Sequence, residues 1–327
     1  MRLTERACII FVHGLASKPP QAVLHALWKK ALVENIRTDS RRLAAAMESN
    51  PDLFRFAYWA NAVPDHIEDS PAYVRKLRRA VAAVISERRR AGKSLHISRS
   101  GWVRAKIKKF GHGIVGSLAG ALSVKDNVIS EHMREVRLYR GDQHVADRIR
   151  GPLERELREA WSAGKQVVII AHSMGTFVSY DVLWRFSHRS ESAYRSFRDR
   201  SVDLFITVGS PLGDATLRDF MLIERWKRAL KSESREDRRR YFPTNVRRWQ
   251  NYCAYADVVC HDSTLEDDFF VGLRRDVGGY GPGDLRDYVR LYNPYRGTDG
   301  KPNPHKSYGY LIQPKLSQKL RQFFGAR

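Results

Sequence analysis

One stretch near the middle of the chain restricts the fold more than any other. Residues 167–171 (VVIIA) form a short apolar run rich in β-branched side chains, and residues 176–186 follow with a helical pattern. Between them stand only His172, Ser173, Met174 and Gly175. A strand that is apolar at every position is covered on both faces, which is the habit of parallel sheets with helical crossovers. A strand that passes straight into a helix needs a sharp turn, and small residues at Ala171 and Gly175 leave room for one.

The rest of the chain repeats the alternation. Residues 8–12 (CIIFV) read as a buried strand ending at His13-Gly14, and residues 53–59 (LFRFAYW) alternate like a strand. Val23, Leu24, Leu27 and Leu32 fall near helical spacing within 21–34. In residues 142–163, Val145, Ile149, Leu153 and Leu157 share one helical face, and Gly164 follows as a stop. Further strands are expected within 202–208, 246–256 and 285–292, and a closing helix within 307–324 despite Pro314. Strands alternating with helices predict an α/β fold, with a mostly parallel central sheet and helices on both faces. No internal repeat or interdomain linker stands out, so residues 1–327 read as one domain with two insertions, about 60–141 and 214–245. Insertions over the ligand end of an open sheet can act as lids.

The turn at Ser173 carries chemistry. Ala171-His172-Ser173-Met174-Gly175 matches the nucleophile elbow, G-x-S-x-G, with alanine in place of the first glycine. The strained turn lifts a serine hydroxyl above the sheet. That hydroxyl needs a base, and the base needs an orienting acid. In this arrangement the chain order is serine, acid, histidine. Asp257 follows the strand within 246–256, and His305 lies in a loop after the last strand. Asp262 is the alternative acid, while His261 is too close in sequence to Asp257 to serve as the late base. The plain alternatives are a turn aspartate and a solvent-exposed loop histidine. An oxyanion needs two preorganised donors. The backbone N–H of Met174 is one, and that of Leu15, after His13-Gly14, is the other. His13, Gly14, His172 and Gly175 support these groups.

Together, FVHGL, AHSMG, TVGSPLG, YADVV and HKSYGYL, spread over residues 11–311, resemble the α/β-hydrolase superfamily, and lipase-like and esterase-like members in particular. The resemblance implies an α/β-hydrolase fold and cleavage of a carboxylic ester through an acyl-serine intermediate, without a cofactor or metal. Ser173 would attack, His305 would move the proton, and Asp257 would orient the imidazole. The substrate would be an ester or acyl compound, either a small molecule or a lipid. Acyl transfer or thioester cleavage on the same three residues is the alternative. Val258, where proline often follows the acid, departs from the pattern.

Charge is the unusual bulk property: 58 Lys and Arg stand against 36 Asp and Glu, a net charge of +22. Such a field favours anionic partners. Residues 88–125 are basic and then apolar, and Val103, Ile107, Phe110 and Ile114 would form the stripe of a basic amphipathic helix. An anionic membrane surface is the partner this suggests. The bland alternative is a lid helix with a solvated basic face. Nucleic acid is disfavoured because no reading motif accompanies the charge. A non-catalytic protein that keeps the fold to hold an anionic surface is the remaining class. Three cysteines without a CxxC pair fit a reducing compartment. The first residues lack a signal-peptide pattern, so the expected location is cytoplasmic, with peripheral membrane association as a variant.

Overall fold

The computed structural model describes residues 4–15, 17–63, 67–92, 95, 136–214, 218, 242–260, 262–273 and 285–325. They form a six-stranded sheet in which every pairing is parallel. The strands are β1 (Ala7–Val12), β2 (Phe54–Ala57), β3 (Gln166–His172), β4 (Leu204–Val208), β5 (Trp249–Ala254) and β6 (Leu285–Leu291). Their spatial order is β2-β1-β3-β4-β5-β6. The chain leaves β1 toward one edge and later returns on its other side with β3. The crevice beyond the carboxyl ends of β1 and β3 is therefore the switch point at which open α/β sheets bind ligands.

Side-chain alternation along the strands separates two cores. Cys8, Ile10 and Val12 of β1, with Val167, Ile169 and Ala171 of β3, face one side. There they meet α4 (Gln143–Ser162) and α5 (Met174–His188) through Ile149, Leu153, Leu157, Phe177 and Val178. Ile9, Phe11, Val168 and Ile170 face the other side. That side is covered by α1 (Gln21–Asp39), α2 (Arg41–Glu48), α3 (Pro71–Ala91), and the closing helices. Burial on both faces is why β1 and β3 read as unbroken apolar runs. The architecture is α/β and consistent with the α/β-hydrolase fold.

Two expectations need correction. Beyond α6 (Ser192–Arg195) and α7 (Glu266–Leu273), the closing helix is two helices, α8 (Ser307–Leu311) and α9 (Pro314–Phe323). Pro314 has no N–H to continue a helix and instead takes the first position of α9. The second correction concerns residues 60–141. Their first part is integral to the domain: α3 lies against α1 and buries Leu77, Val81, Val84 and Ile85 in the core.

The basic run that begins the segment 88–125 is also partly internal. Arg88 is buried, with Nε donating to Asn35 Oδ1 at 2.6 Å and Nη2 to Asp39 Oδ2 at 2.6 Å. Arg89 pairs with Glu34 at 2.5 Å and Arg90 with Glu87 at 2.7 Å. Arg88 is thus a core strut and is unavailable to a membrane surface. The amphipathic helix expected over 102–114 and most of 214–245 lie outside the described residues. Among the described residues, no helix is long and apolar enough to cross a membrane.

Candidate active site

Ser173 follows β3 and precedes α5 with φ 55° and ψ −129°, a left-handed backbone that L-residues adopt at a cost. Its N–H donates to Val208 O at 3.1 Å, which ties the turn to the end of β4. Close packing explains the small neighbours. A Cβ on Gly175 would stand 2.5 Å from His13 O and 2.7 Å from Val12 O, so the first turn of α5 rests directly on the end of β1. A Cβ on Gly14 would meet Ser173 Cβ at 2.6 Å. The loop after β1 and the elbow therefore touch backbone to side chain.

His305 Nε2 lies 3.0 Å from Ser173 Oγ. Its Nδ1 lies 3.0 Å from Asp257 Oδ1 and 2.9 Å from Oδ2. Residues 257 and 305, chosen from chain order, thus form one hydrogen-bonded chain with Ser173. The Asp257 side chain is fully buried and that of His305 is 24% exposed. With Nδ1–H donating to the carboxylate, Nε2 is left without a proton and faces the Ser173 hydroxyl as an acceptor. Burial alone would raise the Asp257 pKa. His305, the Tyr310 hydroxyl at 2.5 Å from Oδ2 and the Val259 N–H at 3.0 Å from Oδ1 outweigh it and hold the carboxyl below its ordinary value. Asp262 is exposed, and its backbone packs on Gly213 instead.

The supporting residues have separate duties. His13 is buried; the Trp59 N–H donates to its Nε2 at 3.0 Å, so the ring proton sits on Nδ1, which donates to Gly14 O at 2.8 Å. Trp59 Nε1 returns a bond to His13 O at 3.1 Å, and the two rings stack at 4.4 Å. This brace fixes the loop that carries Leu15. The buried Lys18 ammonium donates to Leu15 O and restrains the same loop. Met174 is the first residue of α5, so its N–H has no acceptor within the helix. His172 Nε2 donates to His305 O at 2.6 Å. Burial, and then the neighbouring His305, push the His172 pKa well below the ordinary value and keep the ring neutral.

Sequence reasoning missed several residues. Gly209 has φ +55, and a Cβ there would stand 3.0 Å from Asp257 Oδ2 and 3.2 Å from His305 Nδ1. Its only signal was its place in TVGSPLG. Asn293 straps the histidine loop, donating to Pro304 O at 2.7 Å and Lys306 O at 2.9 Å. Tyr310 had no role assigned. Among the described residues, no group of three or more His, Cys, Asp or Glu is arranged to hold a metal ion.

The all-parallel sheet and this site fit an enzyme of the α/β-hydrolase superfamily. Residues 152–218 match the family model of lecithin:cholesterol acyltransferase, which supports a lipid-acting enzyme of acyltransferase or esterase type. The matched stretch contains Ser173 but neither Asp257 nor His305. No curated protein and no solved structure matches the chain.

Proposed function

We propose that the protein is a serine hydrolase that cleaves a carboxylic ester of a lipid through an acyl-serine intermediate. The reading rests on one observation, the unbroken chain from Ser173 Oγ through His305 to Asp257 at 3.0 and 2.9 Å. Ser173 Oγ attacks the ester carbonyl while its proton passes to His305 Nε2. The oxyanion accepts hydrogen bonds from the N–H groups of Leu15 and Met174. The imidazolium, held by Asp257, then gives its proton to the departing alcohol. Water, activated by the same nitrogen, attacks the acyl-serine and releases the acid. The elbow strain keeps Oγ above the sheet, and the His13–Trp59 brace keeps the donor loop in place before substrate arrives.

The match to an acyltransferase family favours one second reading. An acceptor alcohol in place of water would make the same intermediate an acyl transferase. The test is turnover of p-nitrophenyl esters and of phospholipid vesicles, with and without a sterol acceptor, and mass spectrometry of the Ser173 peptide. An acyl adduct on Ser173 with free acid as product supports hydrolysis, and an acylated acceptor supports transfer. No adduct and no turnover would reject both.

We also propose that α3 contributes to the anionic membrane contact expected of residues 88–125, of which Arg88 is buried. Arg75, Lys76, Arg78 and Arg79 are exposed on its outer face, which suits a negatively charged surface screened by salt. Cosedimentation with anionic but not neutral vesicles, weakened by salt and by Gln at these four positions, is the expected result. Unchanged binding of the four-Gln variant, or preference for an oligonucleotide over vesicles, would reject it.

A further inference from the structure

Asp257 has a second side-chain partner that the triad chemistry leaves unexplained. Tyr310 lies on α8, which begins two residues after His305. One short segment thus delivers two side chains to one carboxylate: His305 Nδ1 at 2.9 Å from Oδ2 and Tyr310 Oη at 2.5 Å from the same oxygen. The hydroxyl is held in turn. The N–H of Ala254, at the end of β5, donates to Tyr310 Oη at 3.0 Å. With that acceptor site used, the hydroxyl proton is directed at Asp257. Cys260 Sγ lies 3.6 Å away, and the tyrosine is fully buried. Burial, with Asp257 beside it, pushes the phenol pKa well above its ordinary value, so it remains a donor throughout the working range.

We propose that Tyr310 is a positioning residue that sets the basicity of Asp257 and, through it, the pH at which His305 becomes a competent base. This rests on the reading of Asp257 as the triad acid. A donor on Oδ2 stabilises the ionised carboxylate and shares its charge. It thereby moderates the pull of Asp257 on the His305 Nδ1–H and on the imidazolium that forms in the transition state. It also fixes the carboxylate plane, because Oδ2 is held by tyrosine and histidine while Oδ1 takes the Val259 N–H. Gly209 fits this arrangement, since a Cβ there would stand 3.1 Å from the Tyr310 ring. The aromatic ring alone would fill the space, so the hydroxyl is the part that acts.

The test is the pH profile of kcat/KM on a water-soluble p-nitrophenyl ester. In Tyr310→Phe, Asp257 loses a donor, its charge acts more fully on His305, and the acid limb moves up by about half a unit. At optimal pH kcat falls roughly tenfold while KM stays within about twofold. Replacing Tyr310 by 3-fluorotyrosine keeps the shape and strengthens the donor, so the limb moves down. This second variant serves if the phenylalanine protein does not fold. In an Asp257→Asn background, Tyr310→Phe leaves the limb where Asp257→Asn alone puts it. Limbs that stay put in both tyrosine variants, or a shift that persists in the asparagine background, overturn the proposal. Wild type that turns over no ester rejects the hydrolase reading itself, an outcome distinct from an active wild type with unshifted variants.

Discussion

His172 Nε2 donates to the backbone carbonyl of His305 at 2.6 Å, so the residue before Ser173 holds the residue whose Nε2 faces the Ser173 hydroxyl. The elbow and the histidine loop lie 133 residues apart in the sequence, and this bond couples their positions. The rings stand 4.7 Å apart, and His172 is buried and neutral. Replacing His172 by Phe removes the donor and leaves the carbonyl unsatisfied. Looser placement of Nε2 is expected to lower kcat roughly 10- to 100-fold with KM little changed. Steady-state kinetics on a soluble ester check it.

The same residue makes stability pH-dependent. Its native pKa lies well below the ordinary value because burial, then His305, disfavours the charged ring. Below about pH 6.5 the unfolded chain binds a proton at this position that the native protein refuses. Stability therefore falls as the pH drops from about 6.5 toward the native value. Asp257 adds a lower window. Its carboxyl is held below the ordinary range, so its contribution is complete above about pH 4 and is lost as pH falls through the native value. Melting temperatures between pH 4.5 and 7.5 should decline on acidification in wild type and decline less in His172→Gln.

Gly14 and Gly209 are expected to tolerate no side chain. Alanine at 14 would place Cβ 2.6 Å from Ser173 Cβ, and alanine at 209 would crowd Asp257 and His305 at a positive φ. Both variants should fold, with a cost of about 1–3 kcal/mol from overpacking, and lose activity by roughly 100-fold. Chemical denaturation together with ester turnover separates the two effects.

How much was legible beforehand follows from burial. β1 and β3 are covered on both faces, and unbroken apolar runs announce them. Ser173, Asp257 and His305 could be chosen by order because a parallel sheet brings the carboxyl ends of its strands to one edge. α3 was hidden because its apolar positions, Leu77, Val81, Val84 and Ile85, are embedded among arginines. A helical wheel would have shown them on one face. Tyr310 was not legible. It reaches Asp257 from α8, which packs on α1 and sends only the tyrosine hydroxyl to the end of β5, and no local pattern encodes that contact.

Arg88 illustrates the same difficulty energetically. A run of three arginines looks like a solvated face, yet the Arg88 side chain is 1% exposed and that of Arg90 is 74% exposed. Removing Arg88 would strand Asp39 and Asn35 in the core. Arg88→Met is expected to destabilise the fold by about 3 kcal/mol. Arg90→Ala should leave stability nearly unchanged, as exposed pairs contribute little. Urea unfolding of the two variants checks the contrast.

An activated Ser173 is open to covalent labelling by a fluorophosphonate probe. Folded wild type should label at Ser173, with labelling abolished in Ser173→Ala and reduced by roughly 1,000-fold or more in His305→Ala. Wild type that stays unlabelled beside a reactive control hydrolase, or labelling that survives Ser173→Ala, would rule out Ser173 as the nucleophile.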